Sequence, residues 1–112
     1  MEMKHAKGAL FVYGSLLEEA KRMEILGHRV EVIEARLDGF KRRRRRYFYI
    51  TRAEGAETSG TVMLGLTRED WGRLDAYEEV PHLYTRDEIE VVTSGGPLRC
   101  WVYLPTLNCL KL

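Results

Sequence analysis

Cysteine is scarce in this chain: Cys100 and Cys109 stand alone, with no CxxC spacing and no paired histidines beside them. That rules out the common thiolate metal sites and makes two free thiols the simplest account, as expected of a cytoplasmic protein. No metal and no cofactor are expected. Long apolar runs are missing too. The longest, Ala9 to Leu17, is interrupted by Gly14 and Ser15, so no membrane span is expected. The opening Met-Glu-Met-Lys-His lacks the apolar centre of a signal peptide, which again points to the cytoplasm. Net charge is almost absent, at +1. That balance conceals six consecutive basic residues, Lys41 through Arg46, outside which 12 basic residues face 17 acidic ones. A chain that is acidic outside one block is not a generally cationic nucleic-acid binder.

What is present suits folding. With 45% hydrophobic and 31% charged residues over 112 positions, the expectation is one domain, 1–112, built on one core. Its organising stretch is Phe11-Val12-Tyr13-Gly14-Ser15-Leu16-Leu17. Apolar residues 10–12 read as a buried strand, and Leu16, Leu17, Ala20, Met23 and Leu26 recur at helical spacing. Ser15 with Glu18 three residues on reads as a capping box, so a strand turns at Gly14 and launches a helix. Such a turn offers backbone N–H groups and a positive dipole end to an anion. An ordinary strand–turn–helix connection is the competing reading.

Further along, Gly27 is a suitable helix stop. Residues 29–37 alternate as a strand, Asp38-Gly39 suggests a turn, and Tyr47-Phe48-Tyr49-Ile50 reads as a second strand. Residues 52–60, rich in Gly, Ser and Glu, are expected as loop. A strand over 61–66 leads to Thr67, an N-cap followed by acids, and to a helix with Trp71, Leu74 and Tyr77 or Glu78 on one side. Val80-Pro81 ends that helix. Strands over 84–92 and 98–104 flank the turn Ser94-Gly95-Gly96-Pro97. Five or six mostly antiparallel strands and two helices make an α+β domain or a small barrel carrying helices.

Two clusters could carry chemistry. Asp75, Glu78 and Glu79 crowd a helix C-terminus, where carboxylates oppose the macrodipole. Glu78 also has Leu74 and Trp71 at i−4 and i−7, and apolar company raises a carboxyl pKa toward the range useful for proton transfer. A solvated helix end is the competing reading. The basic run precedes Tyr47, Phe48 and Tyr49, a pairing that could hold single-stranded nucleic acid. A solvated strand is preferred, because alternation puts only every second arginine on one face. His5, His28 and His82 are scattered. His82 lies near Glu78 in sequence, but a surface position is preferred. Cys100 alternates into the core.

Taken in order, Phe-Val-Tyr-Gly-Ser-Leu-Leu, then Leu37-Asp38-Gly39-Phe40 with basic residues after it, then Leu74-Asp75-Ala76-Tyr77-Glu78 followed by Val80 and Tyr84-Thr85-Arg86, the chain resembles the γ-glutamylcyclotransferase-like superfamily. That group includes the plant avirulence-induced proteins. The resemblance implies a small mixed, mostly antiparallel β-barrel with two flanking helices and a cavity at one end. It places the substrate-binding loop on Tyr13, Gly14, Ser15 and Leu16, whose amides hold the α-carboxylate of a γ-glutamyl group. Glu78 falls on the acid/base glutamate, and Tyr84 and Arg86 on the cavity wall and its support. The implied reaction is attack of the substrate's own α-amine on its γ-carbonyl, releasing 5-oxoproline and a free amine without metal or cofactor. Where the family usually has glycine after the glutamate, this chain has Glu79. The expected partner is a small γ-glutamyl compound, with no membrane and no nucleic acid, in a monomer or homodimer. The alternative is a non-catalytic binding module that uses the same cavity, or that turns the run Lys41 through Arg46 toward nucleic acid or another anion.

Overall fold

The first strand, β1 (Lys4–Val12), is apolar on both faces over residues 9–12 because both are buried there. In the computed structural model, which describes residues 4–112, Ala9 and Phe11 point into a barrel while Leu10 and Val12 point out beneath the helices. A strand covered on two sides loses the polar alternation of a half-exposed one, which is why its sequence reads as an unbroken apolar run. Residues 1–3, read above as lacking a leader's apolar centre, lie outside the described residues, as does the side chain of His5.

Beyond β1 come a 3-10 turn (Ser15–Leu17), α1 (Glu19–Leu26), β2 (Glu31–Arg44), β3 (Phe48–Leu64), α2 (Arg68–Tyr77), β4 (Tyr84–Thr93), β5 (Gly96–Pro105) and the one-turn α3 (Leu107–Leu110). The five strands close into a barrel in the order β1-β3-β2-β4-β5. Strand β1 runs parallel to β5, and the other pairings are antiparallel. The expected small mixed, mostly antiparallel barrel with flanking helices is therefore what forms. One core fills the barrel, around Phe11, Leu37, Ile50, Val62, Val91 and Val102. A second layer, including Leu16, Leu26, Met63, Leu74, Tyr84 and Tyr103, lies between barrel and helices. Cys100 joins the first and Cys109 the second, both as free thiols.

Three local expectations need correction. Residues 52–60 are not a loop: β3 runs through them, paired with β2 over 48–52 and again over 57–64. Asp38-Gly39 is likewise not a turn but a bulge, where Asp38 pairs with Glu57 and the next pair is Phe40 with Arg52. Gly39 (φ 83°) and Gly55 (φ 80°) supply the left-handed residues that the irregularity requires. Buried Thr58 then donates to the Phe40 carbonyl at 2.9 Å and holds the register. Long bulged strands with one wet face are polar enough to pass for loop. Nor is Ser15 a helix N-cap. It begins the 3-10 turn, Glu18 caps α1, and neither makes a side-chain cap bond. The expected stop at Gly27 does form, left-handed at φ 78° with its N–H on the Met23 carbonyl.

Helix α2 begins as its sequence suggests. Thr67 Oγ1 accepts from the Asp70 N–H at 3.2 Å, and an Asp70 carboxylate oxygen accepts from the Thr67 N–H at 3.0 Å. His28 Nε2 also meets Asp70 at 2.7 Å. Asp70 is 1% exposed. Burial pushes its carboxyl up, but the Thr67 backbone N–H and His28 overcome that and leave its pKa below the usual value.

Candidate active site

The ends of β1 and β5, the start of β4, the β2–β3 turn and the C-terminus of α2 meet around a cavity of about 420 Å³. Tyr13, Gly14, Ser15 and Leu16 line it on one side, with Glu78 and Glu79 from the end of α2 and Tyr84 from β4. Residues some sixty positions apart in sequence thus share one hollow. The loop passes close to β3: a Cβ on Gly14 would stand 3.2 Å from that of Phe48, tighter than ordinary van der Waals contact. Leu17 donates back to the Gly14 carbonyl at 3.0 Å and Glu18 to that of Ser15 at 3.2 Å. The N–H groups of Gly14, Ser15 and Leu16 have no acceptor among the described residues.

Glu78 is the C-cap of α2, with its own N–H on the Leu74 carbonyl. Its carboxyl makes no hydrogen bond or ion pair among the described residues. Burial alone pushes its pKa up to about 7, the effect expected of a carboxylate with neither donors nor a cation. Glu79, next to it, sits at φ 53°. That left-handed geometry is the reason a glycine suits this position, and it turns the chain so that Leu83 donates to the Glu79 carbonyl at 2.9 Å.

Five tyrosines line the cavity, and the hydroxyls of the three buried ones, Tyr13, Tyr84 and Tyr103, are already committed. Tyr13 donates to the Tyr103 carbonyl at 2.7 Å, Tyr84 to the Phe48 carbonyl at 2.6 Å and Tyr103 to Asp75 at 2.7 Å. Burial raises the pKa of all three well above that of a free phenol, so they are neutral walls. Ser15 points across to Tyr77, hydroxyl to hydroxyl at 2.6 Å, which ties the loop to the last turn of α2. Tyr77 is exposed yet lines the cavity beside Glu78, while Leu74 is buried in the layer between barrel and helices with Trp71 packed against it.

Arg86 does not line the cavity. It stands behind the wall, 3.1 Å from Asp75 and stacked over Trp71 and Trp101 at 4.7 and 5.8 Å. Through Asp75 it braces Tyr103, a supporting place rather than a substrate-facing one. His82 is exposed and also outside the lining. Arg44, Arg46, Tyr47 and Phe48, which the sequence offers only as part of a run for nucleic acid or another anion, line the same cavity, and so does Tyr103, which sequence reasoning missed. The alternation of the basic strand was the available signal: Arg42 and Arg44 share a face with Phe40, whereas Arg43 turns to Thr51 on the other. Arg42 reaches the organising loop itself and donates to the Tyr13 carbonyl at 3.1 Å. The run is thus more than a solvated strand.

Among the described residues no three His, Cys, Asp or Glu side chains converge as metal ligands, and no helix is long and apolar enough to cross a membrane.

The sequence model of the gamma-glutamyl cyclotransferase, AIG2-like family matches residues 10–111. AIG2-like protein B of Arabidopsis thaliana is 38% identical over 90 residues, which cover 78% of this chain and 51% of that protein. The gamma-glutamylcyclotransferase and putative RNase of Methanocaldococcus jannaschii is 26% identical over 96 residues, 83% of this chain and 43% of that one. A solution structure of another A. thaliana protein superimposes with a TM-score of 0.78 at 28% identity, covering 89% of this chain and 69% of that one. The chain spans about half the length of the curated relatives it matches.

Proposed function

This chain belongs to the gamma-glutamyl cyclotransferase, AIG2-like family, and on that premise we propose that it cyclises a small γ-glutamyl compound to 5-oxoproline with Glu78 as general acid and base. The observation that carries this reading is the shared hollow: an unpartnered carboxyl with a pKa near 7 opposite a loop with three free amides.

In the proposed cycle the amides of residues 14–16 receive the substrate's α-carboxylate and so aim its α-ammonium toward Glu78. The Glu78 carboxylate takes one proton. The freed amine attacks the γ-carbonyl carbon and a C–N bond forms. As the tetrahedral intermediate collapses, the C–N bond to the original amine breaks and the new ring nitrogen gives up its second excess proton. The amine takes that proton and the one held by Glu78 and departs as an ammonium. Nucleophile and electrophile belong to one molecule, so the protein's task is to fold the substrate into attack geometry and move a proton. Burial of Glu78 helps directly. Against an α-ammonium of pKa about 8, a carboxyl near 7 faces a far smaller uphill transfer than an ordinary one near 4.5, a difference of about 3 kcal/mol. The neutral, hydroxyl-satisfied tyrosines keep water and competing proton donors from the centre.

The test is a panel of γ-glutamyl amines, amino acids and peptides assayed for 5-oxoproline with the wild type and with Glu78→Gln. Release by the wild type and loss in the variant, with unchanged circular dichroism, sustain the proposal. A variant as active as the wild type ends it. A second reading keeps the cavity without turnover and sets the basic run against nucleic acid, and its support is the putative RNase in the name of the M. jannaschii relative. Retention on single-stranded DNA that falls steeply with salt, and is lost on neutralising residues 42–46, would favour that reading.

A further inference from the structure

The arginine run divides into residues with assigned hydrogen bonds and residues without them. Arg42 donates to the Tyr13 carbonyl, Arg43 to Thr51 and Arg45 to the Leu110 carbonyl. Arg44 and Arg46 have neither a hydrogen bond nor an ion pair among the described residues, yet both line the cavity that holds Glu78. Each lies over an aromatic ring, Arg44 over Phe48 at 4.8 Å and Arg46 over Tyr47 at 5.8 Å. Stacking restrains a guanidinium's plane and leaves its N–H edge open, the geometry suited to gripping a carboxylate with two parallel bonds.

Two free guanidiniums exceed what a γ-glutamyl group needs. It carries one anion and one cation, and in the reading above the loop amides and Glu78 already serve these. An anion bound by Arg44 and Arg46 must then belong to the other half of the substrate. Resting on that reading, we propose that Arg44 and Arg46 form a subsite for a carboxylate on the departing amine. The preferred substrates are γ-glutamyl amino acids or peptides with a free carboxylate close to the scissile amide, rather than γ-glutamyl alkylamines. The subsite also offsets Glu79, which would otherwise repel a dianionic substrate from the same mouth.

The decisive comparison uses two compounds that differ only in one charge, γ-glutamylglycine and γ-glutamylglycinamide. The wild type is expected to show kcat/KM about tenfold higher for the acid, and in the double variant Arg44→Gln, Arg46→Gln that ratio falls to within about twofold of one. The variant Arg44→Lys, Arg46→Lys, which keeps charge but loses the fork, retains an intermediate preference. Unfolding midpoints establish that the variants fold. Absence of preference in the wild type, or equal losses on both compounds, overturns the subsite; equal losses would mean that the arginines hold the glutamyl end. If neither compound yields 5-oxoproline, it is the cyclisation reading that fails. Calorimetric binding of the two compounds to Glu78→Gln, with and without the arginine changes, then decides the subsite. Discrimination that vanishes with the arginines sustains it, and equal binding or no binding overturns it.

Discussion

Two acids stand at opposite ends of α2, and burial pushes both carboxyls in the same direction while their partners differ. Asp70 accepts from the Thr67 N–H and meets His28, so its carboxyl stays below the usual pKa despite being sealed from water. Glu78 has no donor and no cation among the described residues, and desolvation pushes it up to about 7. One helix therefore carries a carboxylate that holds structure and another poised to exchange protons. What separates them is the hydrogen-bond inventory, since burial disfavours charge at both places and only bonds to the charged form restore it.

The contrast breaks most visibly on removing each acid in turn. Glu78→Gln is expected to lower kcat for 5-oxoproline release by about a thousandfold, roughly 4 kcal/mol, while the protein stays folded. Equal turnover would place the proton transfer elsewhere.

Stability against pH sharpens the same contrast, because the two groups act with opposite signs. The folded pKa of Glu78 lies above its unfolded value, so the stability it contributes is full below about 4.5 and lost as pH rises through about 7. Denaturant unfolding should therefore show Glu78→Gln gaining on the wild type between pH 4 and 8, by about 3 kcal/mol at most. The kcat/KM of the wild type should climb over the upper part of that window as Glu78 ionises. Asp70, with a depressed pKa, works the other way: its contribution is present above its unfolded pKa and lost as pH falls through the folded one.

A smaller effect comes from Asp70→Ala, which strips the Thr67 N–H of its acceptor and should destabilise by about 2 kcal/mol. Its folded fraction should keep turnover within roughly twofold, since α2's two ends share no partners. A collapse in kcat at full folding would show that the structural acid also serves the reaction. Smallest of all is Tyr77→Phe, which frees Ser15 from α2. KM is expected to rise about threefold with kcat nearly unchanged, as the loop loses one exposed hydrogen bond. A fall in kcat instead would mean that the tie also orients Glu78.

Much of this could be read from residue order. Strand β1, the stop at Gly27, the Thr67–Asp70 capping box and the β4–β5 hairpin with its two-residue loop each rest on contacts a few residues apart, which local pattern records. The bulged middle of β2 and β3 escaped because its ladder couples positions such as Phe40 and Arg52, and because glycines placed for positive φ resemble turn residues. Residue order assigns Tyr84 and Arg86 jointly to the wall and its support, without saying what Arg86 supports. Only Asp75, Trp71 and Trp101 assembled around it show that it braces Tyr103.

Composition and local order alone determined that this chain would bury one strand on both faces, turn at Gly14 and end a helix in acids. These follow from side-chain size, periodicity and backbone freedom within a few residues. Tertiary structure decided the rest: that the turn and Glu78 open into one hollow, that Glu78 has no partner there among the described residues, and that two arginines from the end of β2 and the turn after it, more than thirty residues earlier, line the same hollow. A pKa depends on every atom within a few ångströms, and which atoms those are is settled only when the barrel closes.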